Sequence, residues 1–262
     1  MAEIINIKEI DGIKKLKDKD ITSALEIISE FWDVHSCAIV KNGVPIGVGL
    51  SSTAYDAKLK ALDCNPVDAI GETIAFSKEI DKTAAKALSK MNFSKIITTK
   101  IEPDAQKYLE KIICKIFCLD FRLDVYKKSL NENEELTPKG FKVATKLKPT
   151  QEQVEDMVFA WKVLKTIKKD AVVISKDFKT RAIEHGTDIN AIEKAMDKAC
   201  DGSKEAIIAV SKTITDKKEL NPLIQGRITG IIEPKSYDGK DFDIIKTADK
   251  YGITIVTVGT EE

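Results

Sequence analysis

The stretch from Phe159 to Asp177, FAWKVLKTIKKDAVVISKD, is the most informative part of the chain. Its first half spaces apolar residues as an amphipathic helix does, and the run from Ala171 to Ser175 is typical of a buried strand. A helix that leads directly into a buried strand is the repeating unit of α/β proteins. The stretch therefore predicts an α/β fold.

The same alternation of helix and strand patterns occurs elsewhere in the chain. Ile21 to Phe31 has helical apolar spacing, with Asp20 or Thr22 as its expected cap, and residues 36–50 read as strand, turn and strand. Asn42-Gly43 at the turn is a hairpin signal, because both residues tolerate positive φ angles. Later strand patterns alternate with helical ones, which predicts a largely parallel sheet with helices on both faces.

The two halves of the chain repeat one another. AFSKEI at residues 75–80 matches AVSKTI at residues 209–214, an offset of 134 residues from Ser77 to Ser211. The same offset aligns Ala38 of the hairpin with Val172. Strands aligned in order by one offset predict a duplicated α/β unit.

A polar segment separates the two repeats. Residues 131–140, NENEELTPKG, include a proline and a glycine and have no apolar period, which is typical of a linker or an exposed loop. The sequence therefore predicts a first subdomain over residues 1–140 and a second over residues 141–262.

Composition limits the classes of function. The chain has 42 Lys and Arg residues and 42 Asp and Glu residues, so its formal net charge is zero. A net charge of zero gives the chain as a whole no electrostatic attraction to nucleic acid. No apolar run approaches the roughly 18 residues of a membrane span, and the start of the chain has no signal-peptide core. Neither the five cysteines nor the two histidines have zinc-ligand spacing. We expect a cytoplasmic protein with no metal, nucleic-acid partner or membrane partner.

Four segments resemble one known family. Residues 41–47, KNGVPIG, are similar to its Lys-His-x-x-Pro-x-Gly, and residues 65–76 to its Asp-Pro-x-Ser-Ala-Phe-Gly-Gly segment. Residues 145–150, TKLKPT, resemble its Thr-Lys-Arg-x-Pro-Thr, and Phe159 to Asp177 is the best match of the four. The family is the transformylase domain of the bifunctional purine-biosynthesis enzyme that formylates aminoimidazole carboxamide ribonucleotide (AICAR). Nothing in the chain resembles the cyclohydrolase domain.

The resemblance implies a fold, a ligand and a site. It implies two similar cytidine-deaminase-like three-layer α/β/α subdomains and a homodimer with active sites between subunits. It also implies a small-molecule nucleotide as ligand and 10-formyltetrahydrofolate as formyl donor. Six positions are assigned to the site: Lys41, Asn42 and Asp170 as catalytic, and Gly71, Glu72 and Lys148 as substrate-binding.

Several of these residues have a plain structural interpretation as well. Lys41 places an ammonium beside a formyl or phosphate oxygen, or it is only the last lysine of a hairpin strand. Glu72 accepts hydrogen bonds from ribose hydroxyls, or it is a solvated residue at a strand start. His185 replaces a missing base, or it is an exposed loop histidine. Trp32 and Trp161 are expected on helices, in core or dimer contacts.

The positions that depart from the family pattern are ones that the resemblance links to formyl transfer. Asn42 stands where the family has a histidine, and an amide cannot exchange protons near neutral pH as an imidazole does. Asp170 puts a carboxylate where a neutral asparagine is expected, and residues 212–215, KTIT, replace the Phe-Phe-Pro-Phe segment linked to folate. These departures argue against efficient formyl transfer.

Three functions follow from this mixture of matches and departures. The first is a divergent transformylase-family protein with weak activity or a different small substrate. The second is a non-catalytic nucleotide-binding or regulatory homologue that dimerises. The third is a structural partner of a full-length transformylase.

Overall fold

The computed structural model describes residues 2–130, 140–235 and 242–259. By its internal contacts the chain divides into two compact units, Met1–Glu134 and Glu135–Glu262. Both units are mixed α/β structures, so the α/β class is confirmed. Residues 131–139 of the expected linker lie outside the described residues, and the subdomain boundary at residue 140 stays a prediction.

The first unit has six strands and six helices among its described residues. In chain order they are β1 (Glu3–Ile7), α1 (Ile10–Leu16), α2 (Lys19–Glu30), β2 (His35–Lys41), β3 (Val44–Ser51), α3 (Ala54–Cys64), β4 (Thr73–Phe76), α4 (Lys82–Leu88), β5 (Lys95–Thr98), α5 (Pro103–Leu109), β6 (Lys115–Leu119) and α6 (Leu123–Ser129). The strand order is β1-β6-β5-β4-β2-β3.

The sheet of the first unit is mixed rather than largely parallel. Strands β1, β6, β5 and β4 are parallel to one another, whereas β2 runs antiparallel to both β4 and β3. The difference from the prediction has a simple cause, because a two-residue turn can join only antiparallel strands.

Both faces of this sheet are covered. Every residue from Ser36 to Val40 in β2 and from Thr73 to Phe76 in β4 is buried, as expected for strands packed on both sides. Helices α3, α4 and α5 share one core cluster with alternate strand residues such as Ile39 and Ile74. Helix α2 also packs against β2 and β4, and its buried apolar residues lie outside that cluster.

Helix α2 begins before the first residue of its apolar pattern. Its N-cap is Asp18, whose side chain accepts hydrogen bonds from the backbone N–H groups of Asp20 and Ile21 at 3.0 and 3.2 Å. The expected caps, Asp20 and Thr22, are therefore wrong and lie inside the helix. The apolar period could not reveal this, because the polar residues of the first turn do not contribute to the apolar face.

The second unit has six strands and four α-helices among its described residues. In chain order they are β7 (Phe141–Val143), α7 (Gln151–Lys165), β8 (Ala171–Lys176), β9 (Lys179–His185), α8 (Ile189–Ala199), β10 (Ile207–Val210), α9 (Lys217–Gln225), β11 (Gly230–Pro234), α10 (Phe242–Tyr251) and β12 (Thr254–Val258). The strand order is β9-β8-β10-β11-β12-β7. Helices α8, α9 and α10 share one core cluster, and α7 packs against β8, β10 and β11.

The repeat is present in the structure with a correction of one residue. Strand β4 corresponds to β10 at the predicted offset of 134. However, Ala38 pairs with Ala75, whereas Val173 pairs with Ala209, the residue that corresponds to Ala75. Ala38 therefore corresponds to Val173, and its predicted alignment with Val172 is wrong. The error matters because a shift of one residue exchanges the two faces of a strand.

Candidate functional site

The hairpin between β2 and β3 carries the first two of the expected catalytic residues. Asn42 and Gly43 have φ angles of 55° and 78°, as predicted for this two-residue turn. The backbone N–H of Gly43 donates to the carboxylate of Asp20 on α2, so the helix fixes the turn. Lys41, the last residue of β2, is thereby held at the amino end of β4.

Lys41 is paired with two carboxylates. Its Nζ lies 2.7 Å from Oδ1 of Asp68 and 3.7 Å from Oε1 of Glu72. Asp68 is itself oriented by Asn65, whose Nδ2 donates to Oδ2 of Asp68 at 2.8 Å. The structure therefore brings together two of the expected site residues, Lys41 and Glu72, and adds Asp68, which the sequence did not single out.

The protonation state of Lys41 determines whether it can act as a base or only as a positive charge. The hydrogen bond to Asp68, together with the negative charge of Glu72, raises the pKa of Lys41 above its ordinary value. Lys41 therefore stays an ammonium at neutral pH and cannot act as a base. It can supply positive charge to a ligand, but the ligand must compete with two carboxylates.

Gly71 sets the entry into β4. Its φ angle of +84° is one that residues with a side chain rarely adopt, and its N–H donates to the carbonyl of Asn92 at 2.7 Å. The side chain of the next residue, Glu72, is 23% exposed. Gly71 thus sets the backbone path that leads to Glu72, whose carboxylate pairs with Lys41 and is partly exposed.

A second ion-pair group beside the hairpin was missed by sequence reasoning. Lys95, the first residue of β5, lies 2.7 Å from Oδ2 of Asp18 and 3.4 Å from Oδ2 of Asp20. Burial works against ionisation of Asp18, but its hydrogen bonds from Lys95 and from the N–H of Ile21 hold its pKa below the ordinary value. The available signal was the pair of aspartates flanking Lys19, at the start of a helical pattern.

The two groups form one charged edge, which we name the amino-edge cluster. It consists of Lys41, Asp68, Glu72, Lys95, Asp18 and Asp20. Four carboxylates face two ammonium groups, so the cluster carries excess negative charge. Such an edge suits ligand hydroxyl and amine groups, which donate hydrogen bonds, better than it suits a phosphate.

The remaining catalytic candidate, Asp170, lies in the second unit just before β8. Its carboxylate pairs with Nζ of Lys212 at 2.5 Å, and its backbone carbonyl accepts from Gly186 at 2.8 Å. The side chains of Asp170 and Lys212 are 49% and 63% exposed. Lys212 opens the KTIT segment, so the ion pair occupies the place where the family pattern has its aromatic segment.

Lys148 lies in the loop between β7 and α7, where it is exposed. Across residues 140–235 and 242–259, no hydrogen bond or ion pair joins it to Asp170. His185 is exposed at the end of β9, in agreement with the plain interpretation. Trp32 follows α2 in a turn and is 41% exposed, so its expected place on a helix and its burial in the core are wrong, whereas its contact in a dimer stays a prediction.

Within the described ranges no group of three or more His, Cys, Asp or Glu side chains is arranged to hold a metal ion. Nor does any helix in the described part of the chain have the length and apolar character needed to cross a bilayer.

Comparison with known proteins decides the family. The family model of the AICARFT/IMPCHase bienzyme matches residues 16–198. The chain belongs to this family. The bifunctional purine biosynthesis protein PurH of Aquifex aeolicus is 30% identical over 271 residues, which cover 98% of this chain and 53% of that protein. PurH of a Thermoanaerobacter species is 31% identical over 254 residues, which cover 92% of this chain and 49% of that protein.

The chain spans about half the length of the curated relatives it matches. Among solved structures, forms 2 and 1 of Acinetobacter baumannii RibD align with 94% and 92% of this chain at 14% and 13% identity. The TM-scores of 0.33 and 0.32 are too low to support an argument about fold or function.

Proposed function

We propose that this protein is a divergent AICAR transformylase-like protein of purine biosynthesis. It binds an aminoimidazole ribonucleotide and slowly transfers a formyl group to it from 10-formyltetrahydrofolate. The observation that carries the proposal is the pair formed by Lys41 and Glu72, 3.7 Å apart. Lys41 matches the family pattern, and Glu72 lies in a segment that resembles it. This pair supplies one positive group and one hydrogen-bond acceptor at the same end of β4.

The chemistry of the amino-edge cluster assigns a role to each member of the pair. Glu72 accepts hydrogen bonds from the ribose hydroxyls, and the ammonium of Lys41 stabilises the negative charge that develops on the formyl oxygen. Because carboxylates outnumber ammonium groups in the cluster, the phosphate is bound elsewhere. Lys148 of the second unit is exposed and stays a proposed substrate-binding residue on the family pattern alone.

Slow transfer follows from Asn42. Acid–base catalysis by a well-placed side chain contributes roughly 10²–10⁴-fold to a rate. The amide of Asn42 exchanges no proton, and the raised pKa of Lys41 keeps that residue from acting as a base. The proposed reaction therefore relies on binding and on positive charge alone.

The binding role of Glu72 is tested by titrating the protein with AICAR and with the free aminoimidazole carboxamide base. We expect Glu72→Gln to weaken AICAR binding by about tenfold and to leave the binding of the free base unchanged, because only AICAR carries ribose hydroxyls. Glu110→Gln, at an exposed position on the first unit, is the matched control. Equal AICAR affinity in wild type and Glu72→Gln would refute this role.

A non-catalytic nucleotide-binding or regulatory homologue is the second candidate. The ion pair of Asp170 with Lys212 favours it, because Asp170 replaces a neutral asparagine and Lys212 opens the KTIT segment that stands where the family has its aromatic folate segment. Asn42→His separates the candidates, since histidine tolerates the φ angle of 55° at this turn. In a slow transferase the added imidazole raises the rate of formyl transfer at least about tenfold. In a non-catalytic homologue AICAR binds and neither form yields product.

We also propose that each unit is a cytidine-deaminase-like three-layer subdomain and that the protein is a homodimer. Sheets covered by helices on both faces support the first statement, and the family supports the second. Light scattering during size-exclusion chromatography measures the mass directly. A homodimer has twice the chain mass of 29.0 kDa, whereas a mass of 29.0 kDa that changes only on mixing with full-length transformylase favours the structural-partner role.

A further inference from the structure

A cavity lies at the other end of the first unit's sheet, at the carboxyl ends of β4, β5 and β6. Its volume is about 450 Å³. Ser77 directly follows β4, Thr99 directly follows β5 and Leu119 ends β6, and all three line it. Because Lys41 lies at the amino end of β4, this carboxyl-edge cavity is separate from the amino-edge cluster.

Position and size suit a small-molecule ligand. Ligands of open α/β sheets bind in crevices outside the carboxyl ends of the strands, in pockets of roughly 300–1,000 Å³. Ser77 belongs to the wall of the cavity rather than to its binding groups. Its hydroxyl already accepts from the N–H of Ser36 at 2.8 Å and donates to the carbonyl of Val34 at 2.6 Å.

Two aromatic rings line the carboxyl-edge cavity. Trp32 is 41% exposed, an unusual degree for so large an apolar side chain. Phe121 is stacked on Tyr126 with ring centroids 6.2 Å apart and an angle of 29° between the planes, which holds its ring in place. The cavity therefore offers an accessible indole and a fixed phenyl ring against which a flat ligand can pack.

Four charged residues line the same cavity: Lys78, Asp120, Arg122 and Asp124. Arg122 and Asp124 neutralise each other through two hydrogen bonds of 2.9 and 2.7 Å. In the part of the chain that the structure describes, neither Lys78 nor Asp120 has an ion-pair partner, and they do not pair with each other. The carboxyl-edge cavity thus presents one unneutralised charge of each sign beside an aromatic surface.

We propose that the carboxyl-edge cavity binds a small aromatic zwitterion. Its carboxylate contacts Lys78, its ammonium contacts Asp120 and its ring packs on Trp32. A ligand with a single charge pairs with only one of the two unneutralised cavity residues. The other residue is left without a partner or lies beside a like charge, and either outcome lowers the affinity. Free aromatic amino acids are the simplest molecules that satisfy all three groups. No residue of the amino-edge cluster takes part, so the proposal does not depend on formyl transfer.

Equilibrium dialysis of the full chain against three probes tests the proposed ligand class. The probes are L-tryptophan, tryptamine, which lacks the carboxylate, and indole-3-propionate, which lacks the ammonium. We expect L-tryptophan to bind at least about tenfold more tightly than either singly charged probe. No binding of L-tryptophan at millimolar concentration, or equal binding of the three probes, would overturn the proposal.

Three variants and one control locate the contacts. Lys78→Gln should remove the preference for L-tryptophan over tryptamine, and Asp120→Asn the preference over indole-3-propionate. Trp32→Ala should weaken L-tryptophan binding about tenfold or more, and Trp32→Phe should retain most of it. Lys86→Gln, at an exposed position of α4 that does not line the cavity, should change nothing. Unchanged selectivity in both Lys78→Gln and Asp120→Asn would overturn the assignment of the cavity charges.

Discussion

The hairpin turns of the two units follow one plan and differ in strain. In the first unit Asn42 and Gly43 have φ angles of 55° and 78°, and in the second Asp177 and Phe178 have φ angles of 57° and 56°. Asparagine, aspartate and glycine tolerate this region well, whereas a phenylalanine there is strained. The second turn therefore needs more support from its surroundings than the first.

The support of the second turn comes from α7. The carboxylate of Asp156 accepts hydrogen bonds from the N–H groups of Asp177 and Phe178 at 2.9 and 2.8 Å. The ring of Phe178 also meets Phe159 edge-on, with centroids 6.5 Å apart. In the first unit Asp20 of α2 accepts one such hydrogen bond, from the backbone N–H of Gly43.

The lysines at the ends of the first hairpin strands differ in a more consequential way. Lys41 faces two carboxylates, Asp68 and Glu72, whereas Lys176 faces one, Glu205, at 3.1 Å. A hairpin-end lysine is thus part of the framework in both units. The second carboxylate, and not the lysine by itself, distinguishes the first hairpin as a candidate site.

The largest effect is expected when the carboxylate that holds the strained turn is removed. Asp156→Ala should lower the free energy of unfolding by about 3 kcal/mol, because two backbone N–H groups lose a charged acceptor. The urea midpoint at unchanged slope measures it. Glu155→Ala, at the exposed neighbouring position on α7, should stay within about 0.5 kcal/mol of wild type. A loss below about 1 kcal/mol in Asp156→Ala would mean that the turn does not depend on this carboxylate.

A smaller effect is expected where glycine relieves the strain. Gly43→Ala should cost about 1–2 kcal/mol, because alanine is strained at the positive φ angle and its Cβ would lie 3.3 Å from side-chain carbons of Lys19. Gly140→Ala is the matched control, since its φ angle is not positive and no atom lies within 4 Å of the position a Cβ would take. Equal changes in the urea midpoints of the two variants would contradict this explanation.

The smallest effect concerns the pH dependence of Asp18. Its pKa is lower in the folded protein than the ordinary 3.8, so its ionisation stabilises the fold above pH 3.8, and this contribution is lost as the pH falls through the folded-state pKa. Asp18→Asn retains a good N-cap and removes the charge. We expect the unfolding temperature of the variant to fall less steeply than that of wild type as the medium is acidified below pH 3.8. Parallel curves would show that Lys95 gives Asp18 no pH-dependent role.

Local patterns allowed much of the fold to be predicted from the sequence. Asn42-Gly43 predicted its turn because the signal lies within the turn itself. Strands β1 and β7 were missed because they are short edge strands whose partners, β6 and β12, lie more than a hundred residues away. A strand of three residues such as β7 has no period to detect.

The candidate site could be predicted only in part for a related reason. Lys41 follows from a matched motif and Glu72 from its place in a segment that resembles the family. The contact of Lys41 with Asp68 depends instead on how the irregular chain after α3 folds back on the hairpin. The pairing of Lys95 with Asp18 joins a strand start to a helix cap 77 residues apart. Neither contact leaves a periodic signal in the sequence.

Single-turnover formyl transfer by two matched variants tests the proposed function most directly. With enzyme in excess over AICAR and with 10-formyltetrahydrofolate supplied, wild type should form product slowly. Lys41→Met should lower that rate by at least about tenfold. Lys176→Met, which removes the corresponding lysine of the second hairpin, should leave the rate unchanged. Equal rates in the two variants, or no product from wild type, would contradict a catalytic role for the first hairpin.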